Sequence, residues 1–233
     1  MIVLGLETAT AEVGCALADD EGFVASFHLA RGRRHAESLA PAIDHLCLQS
    51  GIGLDQVGAI AVDIGPGLFT GLRVGVATAK ALGSALGIPL IGLTSLDVLA
   101  HPHRGRAGLV AAVVDARRSE VFWALYRPDP GQASVHRLTD YEVSSPQDLA
   151  AELRGREDIV VVGDGAWRYR EELGDGDQVV VATVDFAHPS VSVLVGMAHQ
   201  MARRQQFLAP ADVVPLYLRA ADVRIGWPVR EAG

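Results

Sequence analysis

The chain has 233 residues, 49% of them hydrophobic, enough to bury the core of one large domain or two small ones. With 20 Lys and Arg against 28 Asp and Glu the formal net charge is −8, and basic residues fall only in short groups (Arg31, Arg33, Arg34; His103, Arg104, Arg106; Arg117, Arg118), which argues against tight RNA binding by this chain alone. Cys15 and Cys47 lack the paired spacing of a zinc site or disulfide framework, and no apolar run is long enough to span a membrane, so a cytoplasmic protein with no membrane contact is expected.

Strand-like runs at 2–7, 13–18 and 22–29 precede any helical pattern. The spacing of Ala36, Leu39, Ile43, Leu46 and Cys47 predicts a helix over 36–49, with Pro41 tolerable only in its first turn. Ala42 and Leu48 widen its apolar surface to two faces. A buried strand over 57–64 runs into a Gly-rich turn and a second helix at about 70–86, with Thr70 as its expected N-cap and Gly87 as its stop. Another strand starts at Pro89, and the polar segment 101–108 is the expected joint between domains 1–104 and 105–233.

The second half repeats the opening. Leu109 to Val114 is an apolar strand ending at Asp115, Val121 to Tyr126 returns, and a third strand-like stretch covers 134–143. Helix, strand (Ile159 to Val162), helix, strand and a last helix over 190–206 follow. A strand that ends in a carboxylate and then returns, at Glu7 and again at Asp115, is the imprint of a duplicated ribonuclease H-like unit; a single three-layer α/β domain is the alternative.

Two segments invite a functional reading. The turn Gly65-Pro-Gly-Leu-Phe-Thr-Gly71 opens a helix whose free N–H groups could hold a phosphate, but its glycines match neither the dinucleotide fingerprint nor a P-loop, and a plain tight turn explains them as well. In the helix that follows, Gly71, Gly75, Ala79, Gly83 and Gly87 recur every four residues. Gly75 and Gly83 cost roughly 2 kcal/mol relative to alanine in a helix interior. Close approach of another helix would offset that, from the same domain or from another subunit. Zinc-protease and nucleophile-elbow motifs are absent; Glu7 and Asp115 could flank a metal-nucleotide or simply cap their strands.

In order and spacing, Leu4-Gly-Leu-Glu-Thr-Ala-Thr10, His35-Ala-Glu-Ser-Leu-Ala-Pro41, Gly65 to Gly75, Ala79-Lys-Ala-Leu82, Asp115-Ala-Arg117 with Glu120-Val121, and Val214-Pro-Leu-Tyr-Leu-Arg219 resemble the TsaB (YeaZ) family. The match is dense to about residue 126 and thins afterwards to Gly163-Asp-Gly165. The resemblance implies an α/β fold of two ribonuclease H-like domains in the acetate/sugar kinase-actin (ASKHA) superfamily. It also implies a non-catalytic subunit that dimerises with the catalytic paralogue TsaD to make N6-threonylcarbamoyladenosine at tRNA position 37, with a TsaE-type ATPase as a further partner. Contact with tRNA would come only through the complex, and a homodimer would form when the partner is absent.

The paralogue carries a metal-binding histidine pair where Ser95 and Leu99 stand here, so no catalytic or metal-ligating residue and no required cofactor are expected. The expected partner interface comprises Ala36, Leu39, Ile43, Leu46, Leu72, Gly75, Val76, Ala79 and Gly83. A vestigial cleft allowing weak nucleotide binding comprises Glu7, Thr8, Gly65, Gly67, Thr70, Asp115, Gly163 and Gly165. Glu7, where the fold more often has Asp, and Leu68, where the family usually has Ser, depart from pattern. The rival reading is an autonomous ATPase or kinase of the same fold.

Overall fold

A computed structural model of the chain describes residues 1–30, 35–174 and 178–219; the basic group Arg31, Arg33 and Arg34 lies outside them. The first unit contains β1 (Ile2–Glu7), β2 (Val13–Asp19), β3 (Gly22–Leu29), α1 (His35–Ser50), β4 (Val57–Asp63), α2 (Phe69–Leu86), β5 (Leu90–Leu93) and α3 (Ser95–Ala100). Its sheet runs β3-β2-β1-β4-β5. The first three strands pair antiparallel, whereas β4 and β5 add in parallel beside β1. The near-continuous apolar runs of β1 and β4 fit this central place, since both faces of each strand are covered.

The second unit contains β6 (Leu109–Arg117), β7 (Glu120–Asp129), β8 (Ser134–Arg137), β9 (Glu142–Ser144), α4 (Pro146–Leu153), β10 (Ile159–Val162), α5 (Asp164–Arg168), α6 (Arg170–Leu173), β11 (Val179–Val181) and α7 (Val191–Arg203). Its sheet runs β11-β10-β6-β7-β8. Read from the other edge this is the order of the first sheet strand for strand, with the same antiparallel and parallel pairs. The duplication expected from the two carboxylate hairpins is therefore present in topology. The stretch expected as one strand over 134–143 divides into β8 and β9, which both pair with β7.

Helices α1 and α2 cover one face of the first sheet, where Leu39, Ile43, Leu46, Val76 and Ala79 pack on Leu4, Leu6, Ile60 and Val62. The other face is closed by α7 through Val191, Leu194, Val195 and Ala198. Conversely α3, the last helix of the first unit, buries Leu96, Leu99 and Ala100 against β6, β7 and β10. Each unit thus lends its final helix to the other.

The tail follows α7 back. Leu208 exchanges backbone hydrogen bonds with Leu90 at 2.8 and 2.9 Å, Leu216 N–H donates to Ile64 O at 2.7 Å, and Lys80 Nζ donates to the Ala211 and Val213 carbonyls at 3.1 Å. Residues 191–217 therefore pack with the first unit, which departs from the expected assignment of all of 105–233 to the second domain and its tail. Leu218 enters the second unit's core, and Arg219 donates to Glu120 and to the Ala116 carbonyl, so the tail strap joins both units.

Two local expectations shift. Pro41 sits beyond the first turn of α1, on its solvent side, where its missing N–H costs no buried hydrogen bond. Helix α2 begins at Phe69 with Leu68 as N-cap, so Thr70 is an exposed residue of the first turn rather than the cap. Gly87 closes that helix in the left-handed region, φ 69°, as expected.

Candidate functional site

The turn that leaves β1 is clamped onto the start of α2. Thr8 Oγ1 donates to the Gly71 carbonyl at 2.8 Å and Leu68 N–H donates to the Ala9 carbonyl at 2.7 Å. Gly67 and Gly71 permit the approach: a Cβ at either would lie 2.2 Å from Ala9 O or 2.0 Å from Thr8 O. Ala9 N–H donates to Glu7 Oε1 at 2.7 Å. At the end of β4, Asp63 Oδ1 accepts from Gly65 N–H at 2.6 Å and Ser95 Oγ at 2.8 Å, and Gly65 O accepts from Ser95 N–H at 3.0 Å. The Gly-Pro-Gly turn therefore joins β1, β4 and α3.

Glu7 and Asp63 are fully buried and face one another. Burial, then the adjacent Asp63, raises the Glu7 carboxyl well above its ordinary range, and burial raises Asp63 as well. Among the described residues Glu7 Oε2 and Asp63 Oδ2 have no hydrogen-bond partner, and the raised carboxyls favour the protonated, uncharged form at this pair.

The second unit repeats the pairing. Asp115, at the end of the central strand, stands beside Asp164, which follows β10 as Asp63 ends β4; Asp115 N–H donates to Asp164 Oδ1 at 2.9 Å. Burial raises the Asp164 carboxyl. Gly163 and Gly165 let this turn lie on β6, because a Cβ at Gly163 would fall 2.0 Å from Val113 O and one at Gly165 2.9 Å from the Val114 carbonyl carbon. Asp115 is also engaged by Arg117, through N–H to Oδ1 and Nη1 to Oδ2, both at 2.9 Å. Sequence reasoning does not single out Asp63 or Asp164, and it weighs Ser95 only as a position without a metal ligand, not as a partner of Asp63. The signal for the first two was a carboxylate directly after, or one glycine after, a wholly apolar strand.

These residues fit a magnesium-nucleotide poorly. The Glu7 and Asp63 carboxyls are turned toward each other, and the Leu68 N–H at the helix start is already spent on Ala9. The hollow beside Glu7 is lined by Glu12 and Asp185, whose carboxylates repel a phosphate, and by His28 and His188, which stand against Glu12. Glu7, Thr8, Gly65 and Gly67 do come together, but as a structural knot, and Asp115, Gly163 and Gly165 form its counterpart; Thr70 stands outside it.

The glycine ridge also has its explanation within the chain. A Cβ at Gly75 would lie 2.3 Å from Thr8 Oγ1, and one at Gly83 would lie 2.8 Å from Leu90 Cδ2. Leu72, Gly75, Val76, Ala79 and Gly83 are buried on the inner face of α2, as are Leu39, Ile43 and Leu46 on that of α1. Among the expected interface residues only Ala36 is exposed. The expectation that this set meets a partner chain is therefore corrected for the eight buried members, whose stripe accommodates the β1–β2 turn and β5 of the same chain, while Ala36 faces outward. The outward stripe is different, with Ala36, Ala40 and Leu48 on α1 and Ala77, Ala81 and Ala85 on α2 facing solvent; Leu48 is 74% exposed.

Residues 28–227 match the family model described as TsaD: tRNA N6-adenosine threonylcarbamoyltransferase. The tRNA threonylcarbamoyladenosine biosynthesis protein TsaB of Escherichia coli is 30% identical over 224 residues, 94% of this chain and 95% of that protein. The solved structure of YeaZ from Pseudomonas aeruginosa superposes with TM-score 0.81 at 28% identity, covering 93% of this chain and 99% of that one. The activator of 2-hydroxyisocaproyl-CoA dehydratase from Clostridium difficile, at TM-score 0.51 and 10% identity, covers 88% of this chain and 97% of its own and shares the fold alone. The two sheets of like topology are those of the actin-like ASKHA fold. The chain belongs to the threonylcarbamoyltransferase-type family that this model describes and, within it, to the TsaB (YeaZ) proteins of tRNA threonylcarbamoyladenosine biosynthesis.

Proposed function

We propose that the chain is a non-catalytic partner subunit in threonylcarbamoyladenosine synthesis, which pairs with a TsaD-type catalytic paralogue, works alongside a TsaE-type ATPase and needs no cofactor of its own. The observation that carries this reading is the fate of the two positions where the paralogue has its metal-binding histidines. Leu99 has no donor and is buried in the second unit's core, while Ser95 spends its hydroxyl on Asp63. A sheet-packing leucine and a structural serine supply no metal ligand.

The contact surface is the outward stripe of the α1–α2 pair. Its small side chains let another helix approach closely, and Leu48 gives it an apolar anchor. The same stripe supports a homodimer when the paralogue is absent. Ala81→Arg changes only a solvent-facing position, so the variant keeps its melting temperature and its co-purification with the paralogue falls at least about tenfold, which corresponds to roughly 1.4 kcal/mol. Undiminished co-purification of this variant contradicts the assignment of the surface. The rival reading, an autonomous ATPase, predicts steady ATP turnover by the isolated chain.

A further inference from the structure

We propose that one corner of the second unit, formed by the β6–β7 turn and the α5–α6 segment, is a contact surface for single-stranded RNA. The turn carries Arg117, Arg118 and Ser119 in succession in the left-handed region, at φ 63°, 56° and 59°. Each such non-glycine residue costs roughly 1–2 kcal/mol that Gly would not incur. Both arginines are exposed. The chain thus keeps two cationic side chains where its backbone would be relieved by losing them, a pattern found where side chains serve a ligand.

Further guanidinium groups converge on the same turn. Arg168 Nη1 lies 3.7 Å from Asp115 Oδ2, the oxygen that Arg117 also contacts, and Arg219 reaches the turn through Glu120 and the Ala116 carbonyl. Asp115 is buried beneath its arginines, whose side chains are 53% and 58% exposed, so it holds both of them at the surface. Aromatic rings alternate with these charges. Trp167 is 40% exposed with the Arg170 guanidinium 5.1 Å from its ring, and Tyr169 lies 5.6 Å from that of Arg168. Glu171 and Glu172 turn away, lining a hollow with Arg154 and Arg156 on the α4 side.

Guanidinium groups for phosphates beside the exposed Trp167 ring for an unstacked base, with Tyr169 half-buried next to it, are the complement of a single-stranded nucleic acid, whereas a lone small anion needs no ring. On a chain of net charge −8 such a corner gives a local contact rather than a high-affinity site, as suits RNA held mainly by a partner. The choice of RNA over another polyanion rests on the reading above that the chain works at a tRNA.

The test measures binding of a tRNA transcript and of a 15-nucleotide single-stranded RNA across a salt series. It uses the chain paired with its paralogue, or the chain alone at low salt if that pair does not form. Arg117→Gly keeps the left-handed turn while removing the charge, and Arg168→Gln and Arg170→Gln remove the others. Each is expected to weaken binding and to flatten the slope of log K against log salt by about 0.7. Trp167→Ala is expected to weaken binding at least about fivefold with the slope unchanged. Arg154→Gln, on the far side, leaves both unchanged. Unaltered affinity and slope in the folded arginine variants, no RNA binding in either form, or equal displacement of the RNA by pyrophosphate or ADP overturns the proposal. Co-purification with the paralogue, scored on the same variants, reports separately on the partner-subunit reading.

Discussion

Replacing Gly75 with Ala tests whether the glycine ridge is an internal seam. In an open helix interior this change stabilises by about 1 kcal/mol, because alanine restricts the unfolded chain more than glycine does. At Gly75 the new Cβ would stand 2.3 Å from Thr8 Oγ1, about an ångström inside ordinary contact, and the neighbour is not a free chain end. Thr8 is fully buried and its hydroxyl donates to Gly71 O, so relief moves the β1–β2 turn and breaks that bond. Loss of a buried hydrogen bond and of local packing costs about 3 kcal/mol, leaving a net loss of about 2 kcal/mol after the propensity gain. For a chain of this size that lowers Tm by about 4–8 °C.

Gly196, inside α7, is the control. A Cβ there meets nothing within 4 Å, so Gly196→Ala should raise stability by about 0.5–1 kcal/mol. Urea unfolding of the two variants gives opposite signs if the ridge is a seam. Equal stabilisation by both would refute the reasoning, since it would mean that α2 does not lie on the β1–β2 turn.

Three further outcomes follow from the same geometry. The Glu7–Asp63 pair, with both carboxyls raised, contributes stability at acid pH that is lost as pH climbs through their folded values; Glu7→Gln keeps a neutral partner for Asp63, so its Tm relative to the parent rises from about pH 4.5 upward, and a pH-independent difference contradicts the protonated pair. Arg219→Ala cuts the strap to Glu120 and Ala116, and because that ion pair is part-exposed the expected loss is about 1 kcal/mol, read as earlier proteolytic release of the tail. Burial pushes the Cys15 thiol up to about 12 and also raises Cys47, which is only half-buried; a thiol reagent at pH 8 should label Cys47 first and reach Cys15 only in denaturant, as simultaneous labelling would deny.

The sequence made the two hairpins legible because apolar period and terminal carboxylate are local features, and both Glu7 and Asp115 fall where they were expected. The crossing of α3 and α7 was not legible. Nothing in Ser95–Ala100 or Val191–Arg203 says which sheet an apolar helix face will meet, so the sequence places one boundary within the joint, at 104/105, whereas residues 191–217 pack with the first unit. The glycine spacing implies a close approach but leaves open whether it comes from the same chain or another; spacing reports that side chains are missing, not what fills the space. Thr70 lost the N-cap because the Leu68 backbone is already held by Ala9. Asp63 was passed over because its partner, Glu7, lies on a strand far away in sequence.

The central claim, an accessory subunit that acts through a catalytic paralogue, is tested most directly by reconstitution. Threonylcarbamoyladenosine formed on tRNA is measured with the TsaD-type paralogue and the remaining components, in the presence and absence of this chain, and with the chain alone. Product should appear only when both proteins are present, and it should fall with Ala81→Arg in step with lost pairing. Full product without this chain, or product from the chain with the paralogue left out, would contradict the account.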